Sequence, residues 1–107
     1  MTQGECDFRY IVDHIDNLVA LLALAEEANE LSQAVLKYAR ALELVKHPTP
    51  VNAFQAVNNM REELIDVEVC LRVVTAKGLF IQNTAQKDLD KRFGRWADRL
   101  REIEKNG

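Results

Sequence analysis

Two carboxylates three residues apart, Glu63 and Asp66, lie in a stretch whose apolar spacing predicts a helix. Successive helical side chains are about 100° apart, so Glu63 projects only about 60° from Asp66. Four apolar residues share that face, whereas the opposite face is charged and is expected to meet solvent. The apolar neighbours are Val67, Cys70, Val73 and Val74, and the charged residues are Arg61, Glu68 and Arg72. A carboxylate on an apolar face needs a partner, because burying it unpaired is costly.

A second acidic motif, Glu26-Glu27-Ala28-Asn29-Glu30, falls in another predicted helix. Glu27 lies beside the apolar stripe of that helix, and Glu30 is its neighbour one turn along. The small residues around Glu27 let a second helix approach closely; they are Ala20, Ala23 and Ala34. Helical glutamates usually form a solvated face. That interpretation suits Glu43, Glu68 and Glu102, but it suits Glu63 and Asp66 poorly.

Acidic pairs that meet across a helix interface repel each other by about 4 kcal/mol per pair, at about 4 Å and an effective dielectric constant of about 20. Arginine or lysine could neutralise them. A divalent cation with oxygen ligands does so more completely, and Mg²⁺ keeps coordination positions for water and phosphate oxygens. The pattern therefore predicts a metal site suited to activating a phosphoryl group and a water molecule.

The elements that position these acids are predicted to be long helices in a single all-α domain of 107 residues. Two prolines and four glycines leave long uninterrupted stretches, and an apolar fraction of 48% is typical of a globular chain. Asp16 and Asn52 are suitable N-caps, and Gly78 suits the position after a helix end. We predict helices at about 17–44, 53–77 and 82–104, a loop around Pro48 and Pro50, and an N-terminal arm or short helix at 1–16.

Helices of this length indicate that the chain assembles into oligomers. About 25 residues of helix span roughly 38 Å, whereas a compact domain of this size has a radius of gyration of about 13 Å. Three such helices, running antiparallel, have too few neighbours to cover their apolar faces. We therefore predict a bundle completed by oligomerisation, which covers surface such as Val69, Val73, Phe93 and Trp96.

Composition excludes several classes of function. A net charge of −3 gives no basis for holding a nucleic-acid polymer by bulk charge. The chain shows no secretory signal, and its longest apolar run, 18–25, is too short to span a bilayer. Cys6 and Cys70 lack metal or redox spacing and are interpreted as free thiols in a reducing compartment. We expect a cytoplasmic protein without a membrane partner.

The two acidic motifs, the proline loop and the C-terminal segment together resemble the MazG-like, all-α nucleoside triphosphate pyrophosphohydrolases of the small, phage-type branch. Glu-Glu-x-x-Glu followed by Glu-x-x-Asp is similar to the metal motif of that family, and residues 25–40 resemble its first motif helix, with Lys37 and Arg40. Pro48-Thr49-Pro50 resembles an Asn-Pro-Thr-Pro loop, with His47 in place of Asn. Arg92-Phe93-Gly94-Arg95-Trp96 resembles a Lys-x-x-Arg-Trp segment, with Arg92 in place of Lys. The resemblance covers about residues 17–100.

The resemblance implies a MazG-like fold and cleavage of a nucleoside triphosphate, NTP or dNTP, to the monophosphate and pyrophosphate. Such a reaction serves nucleotide-pool cleaning or control. The implied cofactor is Mg²⁺, with Mn²⁺ as a substitute, and the implied partner is a second copy in a homodimer or homotetramer. The implied metal ligands are Glu27, Glu30, Glu63 and Asp66. Glu26 helps position the attacking water or is a plain surface glutamate.

Basic and aromatic residues supply candidate substrate contacts, which are Lys37, Arg92 and Arg95. Lys37 either binds a phosphate or pairs with Glu30. Phe93 and Trp96 belong to a helical stripe with Leu89, Leu100 and Ile103. Such a stripe favours core packing over nucleobase stacking.

Two other functions stay open. One is a non-catalytic helical adaptor that oligomerises, which accounts for the amphipathic helices but not for acids on an apolar face. The other is an inactive family member that binds nucleotide without hydrolysing it.

Overall fold

The computed structural model describes residues 1–42, 52–80 and 84–107, and these ranges are helical without any strand. Four helices follow one another along the chain: α1 (Gln3–His14), α2 (Asn17–Ala41), α3 (Ala53–Ala76) and α4 (Gln86–Asn106). The all-α prediction is confirmed. Helix α1 occupies most of the segment 1–16, for which the sequence left an arm or a short helix open.

Both predicted N-caps are present. The carboxylate of Asp16 accepts a hydrogen bond of 2.9 Å from the backbone N–H of Leu18, at the start of α2. The side-chain oxygen of Asn52 accepts one of 2.8 Å from the N–H of Phe54, at the start of α3. These bonds satisfy donors that a helix start leaves without an internal partner, so the caps define where α2 and α3 begin.

The helix ends follow the predictions less closely. Helix α3 ends at Ala76, one residue before the predicted end, and Gly78 then adopts a φ of +75°, which a residue without a Cβ atom reaches without strain. Helix α2 ends at Ala41, and the predicted end at residue 44 lies outside the described ranges. Residue 82, near which α4 is predicted to start, lies outside the described ranges, but residues 84 and 85 are not helical, so the predicted start is too early. Ala85 has an extended backbone and forms no side-chain cap, so the helix begins at Gln86.

Helices α2 and α3 form the main packed pair and run antiparallel. Ala20, near the start of α2, packs with Val73 and Val74, near the end of α3. Further along α2, the carboxylate of Glu27 meets that of Glu63, which comes earlier in α3. Because the two helices run in opposite directions, the acids near the middle of α2 face those near the middle of α3.

The apolar core lies at one end of this pair. Ala20, Val73 and Val74 are buried there, with Val74 only 1% exposed. Partly buried Val12 and Ile15 from the α1 segment pack against them. The expectation that Val73 needs cover from another copy is therefore wrong, because α1 supplies that cover within the chain.

Helix α4 contacts none of the other three helices within the described ranges. Trp96 is consequently 64% exposed and Phe93 60% exposed, so the single chain does not cover the apolar stripe of α4, and its packing in an assembly stays a prediction. The radius of gyration is 18.3 Å, against about 13 Å for a compact chain of this length. The described ranges include no helix with both the length and the apolarity needed to cross a membrane.

Candidate metal centre

Three carboxylates from two helices converge midway along the α2–α3 pair. One oxygen each from Glu27 on α2 and from Glu63 and Asp66 on α3 lies within 4.8 Å of the other two. The spacing of three residues places Glu63 and Asp66 on one face of α3, and the antiparallel packing brings Glu27 opposite them. We call these three residues the carboxylate cluster.

Two oxygens of the cluster are buried without a partner. The Oε2 atoms of Glu27 and Glu63 are shielded from solvent and accept no hydrogen bond within the described part of the chain. Asp66 is exposed, so the cluster opens to solvent on its side. Leaving a carboxylate oxygen buried and unsatisfied is costly. These two atoms therefore indicate that a cation or a proton belongs in the cluster.

The electrostatics of the cluster agree with that conclusion. Burial raises the pKa of Glu27 above its ordinary value, and the negative charges of Glu30, Asp66 and Glu63 raise it further. Burial also raises the pKa of Glu63, followed by the charges of Glu30 and Asp66. Each carboxylate thus makes its neighbours harder to ionise, and a positive charge placed among them would reduce that electrostatic repulsion.

A divalent cation with oxygen ligands fits these residues. The ion pairs within the described ranges join Arg72 to Glu68 and Arg101 to Asp98, so no arginine or lysine there neutralises the cluster. An all-oxygen ligand set favours Mg²⁺, Ca²⁺ or Mn²⁺ over the softer metals.

The two other acids of the first motif stand at the edge of the cluster. Glu30 is exposed and contributes no oxygen to the group of three, but its charge raises the pKa of both Glu27 and Glu63. Glu26 is exposed on α2 and also lies outside that group. The structure therefore brings together three of the four predicted ligands, with the fourth beside them.

Cys70 lies one turn beyond Asp66 on α3 and is a free thiol. Burial raises its pKa, and the charges of Glu27 and Asp66 raise it further. The thiolate is the form of cysteine that binds metals, and this environment disfavours it. Cys70 is thus a neighbour of the cluster and not one of its ligands.

An open cleft of about 400 Å³ adjoins the cluster between α2 and α3. Glu30 and Glu63 line it together with Lys37, the predicted phosphate contact. Lys37 forms no ion pair with any described residue, Glu30 included. Sequence reasoning did not assign the other polar residues of the cleft, which are Gln33, Asn59 and Glu62. Their signal was present, because Gln33 follows Glu30 by one turn and Asn59 precedes Glu63 by one turn.

Arg92 and Arg95 lie elsewhere. They surround Trp96, together with Arg99, at a separate concavity of about 390 Å³ on α4. Because α4 contacts neither α2 nor α3 in the described ranges, the single chain does not bring these arginines to the carboxylate cluster.

The arrangement can hold a hard divalent cation at the mouth of a polar cleft, where the cation would attract anionic oxygens such as those of phosphates. Compared with protein-family models, curated proteins and solved structures, the chain matches none of them.

Proposed function

We propose that this protein is a Mg²⁺-dependent, MazG-like nucleoside triphosphate pyrophosphohydrolase, which converts an NTP or dNTP to the monophosphate and pyrophosphate. The observation that carries the proposal is the convergence of Glu27, Glu63 and Asp66, with two buried carboxylate oxygens left unpartnered. A bound cation would offset the cost of burying these oxygens, and triphosphates are common biological ligands of a carboxylate-held Mg²⁺.

In this proposal four acids hold the metal: Glu27, Glu30, Glu63 and Asp66. Glu27 and Glu63 supply the covered side of the site, and Asp66 supplies the side open to solvent. When bound there, Mg²⁺, or Mn²⁺ in its place, would neutralise part of the negative charge of the triphosphate. The paired glutamates also exclude water from the inner side of the site, since their Oε2 atoms are buried.

Two further side chains act on the substrate in this proposal. The exposed carboxylate of Glu26 accepts the proton that the attacking water loses as it bonds to phosphorus, while the anhydride bond between the α and β phosphates breaks and pyrophosphate leaves. The ammonium of Lys37 faces the cleft and holds substrate there by its positive charge. Without an ion pair to a described residue, Lys37 is available for that contact.

We also propose that the active assembly is a homodimer or homotetramer. The exposed apolar stripe of α4 supports it, because contiguous apolar patches are rare on monomeric proteins. The stripe consists of Leu89, Phe93, Trp96, Leu100 and Ile103. Packing α4 on a second copy is also the route by which Arg92 and Arg95 would approach a substrate, since α4 is separate from α2 and α3 in its own chain.

The test is a panel of canonical and modified NTPs with Mg²⁺, followed by measurement of pyrophosphate and identification of the nucleotide product. A monophosphate with pyrophosphate supports the proposal, whereas a diphosphate with orthophosphate contradicts the assigned bond. Glu68→Gln is a matched control for Glu63→Gln, because Glu68 is on the same helix but faces solvent.

A second candidate function is a non-catalytic helical adaptor, which the exposed stripe of α4 favours. An adaptor does not need the carboxylate cluster, so Asp66→Asn should leave partner binding intact. An inactive relative that binds nucleotide without hydrolysis is the third possibility. It predicts nucleotide binding by calorimetry with no product from any member of the panel.

A further inference from the structure

The cleft beside the carboxylate cluster has room for a second part of a substrate. Small side chains form its floor, Ala34 from α2 and the buried Ala56 from α3. Glu30 and Glu63 stand at the end nearest the cluster. A ligand whose phosphates lie at the cluster therefore has open volume of about 400 Å³ directly beside it.

The rim of the cleft carries four exposed polar side chains, two from each helix. Gln33 and Lys37 come from α2, and Asn59 and Glu62 come from α3. Asn59 lies about 6 Å further along the helix axis than Glu63, and Gln33 about 4.5 Å beyond Glu30. Neither Lys37 nor Glu62 is in an ion pair with a described residue. These groups are thus free to bind a ligand within about two helical turns of the cluster.

The charges of the cleft select the kind of occupant. Three acids, Glu30, Glu62 and Glu63, line the cleft against the single cation Lys37, so the metal-free cleft repels a phosphate tail. When a cation offsets Glu30 and Glu63, the remaining rim charges are Glu62 and Lys37, one of each sign. Two carboxamides accompany them, and each carboxamide both donates and accepts hydrogen bonds. Such a rim suits an uncharged group that presents donors and acceptors along one edge.

We propose that this cleft is the nucleobase subsite, and that it prefers a base with an exocyclic amino group over one with a keto group at the same position. The proposal rests on the function proposed above. A carboxylate accepts a hydrogen bond from an amino group but repels a keto oxygen. Glu62 therefore discriminates cytosine from uracil, while the carboxamides of Gln33 and Asn59 donate to the acceptors of the ring.

Cytidine and uridine triphosphates give the sharpest test, because they share size, sugar and phosphates. We expect kcat/KM for CTP to exceed that for UTP by about tenfold, and Glu62→Gln to bring the ratio close to one, since an amide can also donate to a keto oxygen. Glu68→Gln, an exposed change on the same helix, should leave the ratio unchanged. A wild-type ratio of one that Glu62→Gln does not alter overturns the subsite.

A second measurement needs neither metal nor turnover. Titration of the ¹⁵N-labelled protein with cytidine should shift the side-chain amide signals of Gln33 and Asn59 more than titration with uridine does. Asn59→Ala should weaken the effect of cytidine on Gln33, whereas Gln55→Ala, an exposed amide change on α3, should not.

The two measurements separate the subsite from the reaction. Amide shifts with cytidine in a protein that hydrolyses no NTP support the subsite and contradict the proposed reaction. Hydrolysis of CTP and UTP at equal rates, without selective amide shifts, contradicts the subsite and leaves the proposed reaction standing.

Discussion

The ammonium of Lys77 donates a hydrogen bond of 2.6 Å to the backbone carbonyl of Ile15, a residue 62 positions earlier in the chain. Ile15 follows the end of α1 and Lys77 follows the end of α3, so the bond joins two helix ends. The same ammonium donates at 3.2 Å to the carbonyl of Val12. It thereby satisfies carbonyls at the negative end of α1, where a cation is favourable.

Replacing Lys77 should weaken the attachment of α1 to the end of α3. Lys77→Met keeps the length of the side chain but removes both hydrogen bonds, and we expect a loss of about 1–3 kcal/mol in the free energy of unfolding. Urea denaturation measures that loss, and hydrogen exchange should show faster exchange in α1. Lys87→Met, an exposed change on α4, is the control. Equal stability of the two variants would contradict the anchoring role of Lys77.

Metal binding should stabilise the fold. A cation that binds only the folded state at a hundred times its Kd adds about 2.7 kcal/mol, so Mg²⁺ or Mn²⁺ should raise Tm. The increase should disappear in the double variant Glu63→Gln/Asp66→Asn. An unchanged Tm at millimolar metal, with no heat of binding by calorimetry, would count against the carboxylate cluster as a metal site.

Removing charge from the cluster should separate activity from stability. Glu63→Gln and Asp66→Asn should each abolish hydrolysis and leave the helical content by circular dichroism unchanged. Without metal they should raise the free energy of unfolding, because they relieve repulsion among the acids. Glu68→Gln should retain activity. Wild-type turnover in either cluster variant would refute the proposed mechanism.

The raised pKa values predict how stability changes with pH in the metal-free protein. Burial raises the pKa of both Glu27 and Glu63 above 4.5, so the folded state holds protons that the unfolded chain releases. The contribution of these groups is complete below pH 4.5 and is lost as pH rises through the raised pKa. In urea denaturation with a chelator, Glu27→Gln/Glu63→Gln should therefore lose less stability towards neutral pH than wild type. Parallel pH profiles would contradict the shifts.

Assembly should depend on α4. Light scattering at micromolar concentration should give the mass of a dimer or tetramer, and Trp96→Ser should lower it because it removes a large exposed apolar contact. Lys91→Ser, on the opposite side of α4, is the matched control. A monomer mass for the wild type would exclude the proposed homo-oligomer.

Local signals predicted the starts of α2 and α3, where the residue type marks the cap. Asp16 and Asn52 have capping side chains, and both cap the predicted helices. The start of α4 was misplaced because Ala85 offers no side-chain cap, so nothing in its residue type marks the position. The position of α4 relative to the other helices was harder still to predict. The spacing along α4 identifies an apolar face, but spacing does not say which surface covers it.

The carboxylate cluster was predictable because it depends on helical periodicity within two motifs. Spacing placed Glu63 and Asp66 on one face, and the alanines near Glu27 indicated close approach of another helix. The cleft was not assigned, because it depends on the antiparallel register that sets Ala34 near Ala56. That register depends on how the two helices pack along their length, which no single motif encodes.

The distance between the core and the cleft has an evolutionary consequence. Val73 in the core and Ala56 in the floor of the cleft are 17 residues apart on α3, or about 25 Å. Substitutions separated by more than about 10 Å usually have additive effects on stability. Mutations around Gln33, Asn59 and Glu62 can therefore accumulate without epistasis from Val73 and Val74. The cleft residues at one end of the helix pair can therefore change in descendants, and the ligand preference with them. Selection can meanwhile preserve the core at the other end.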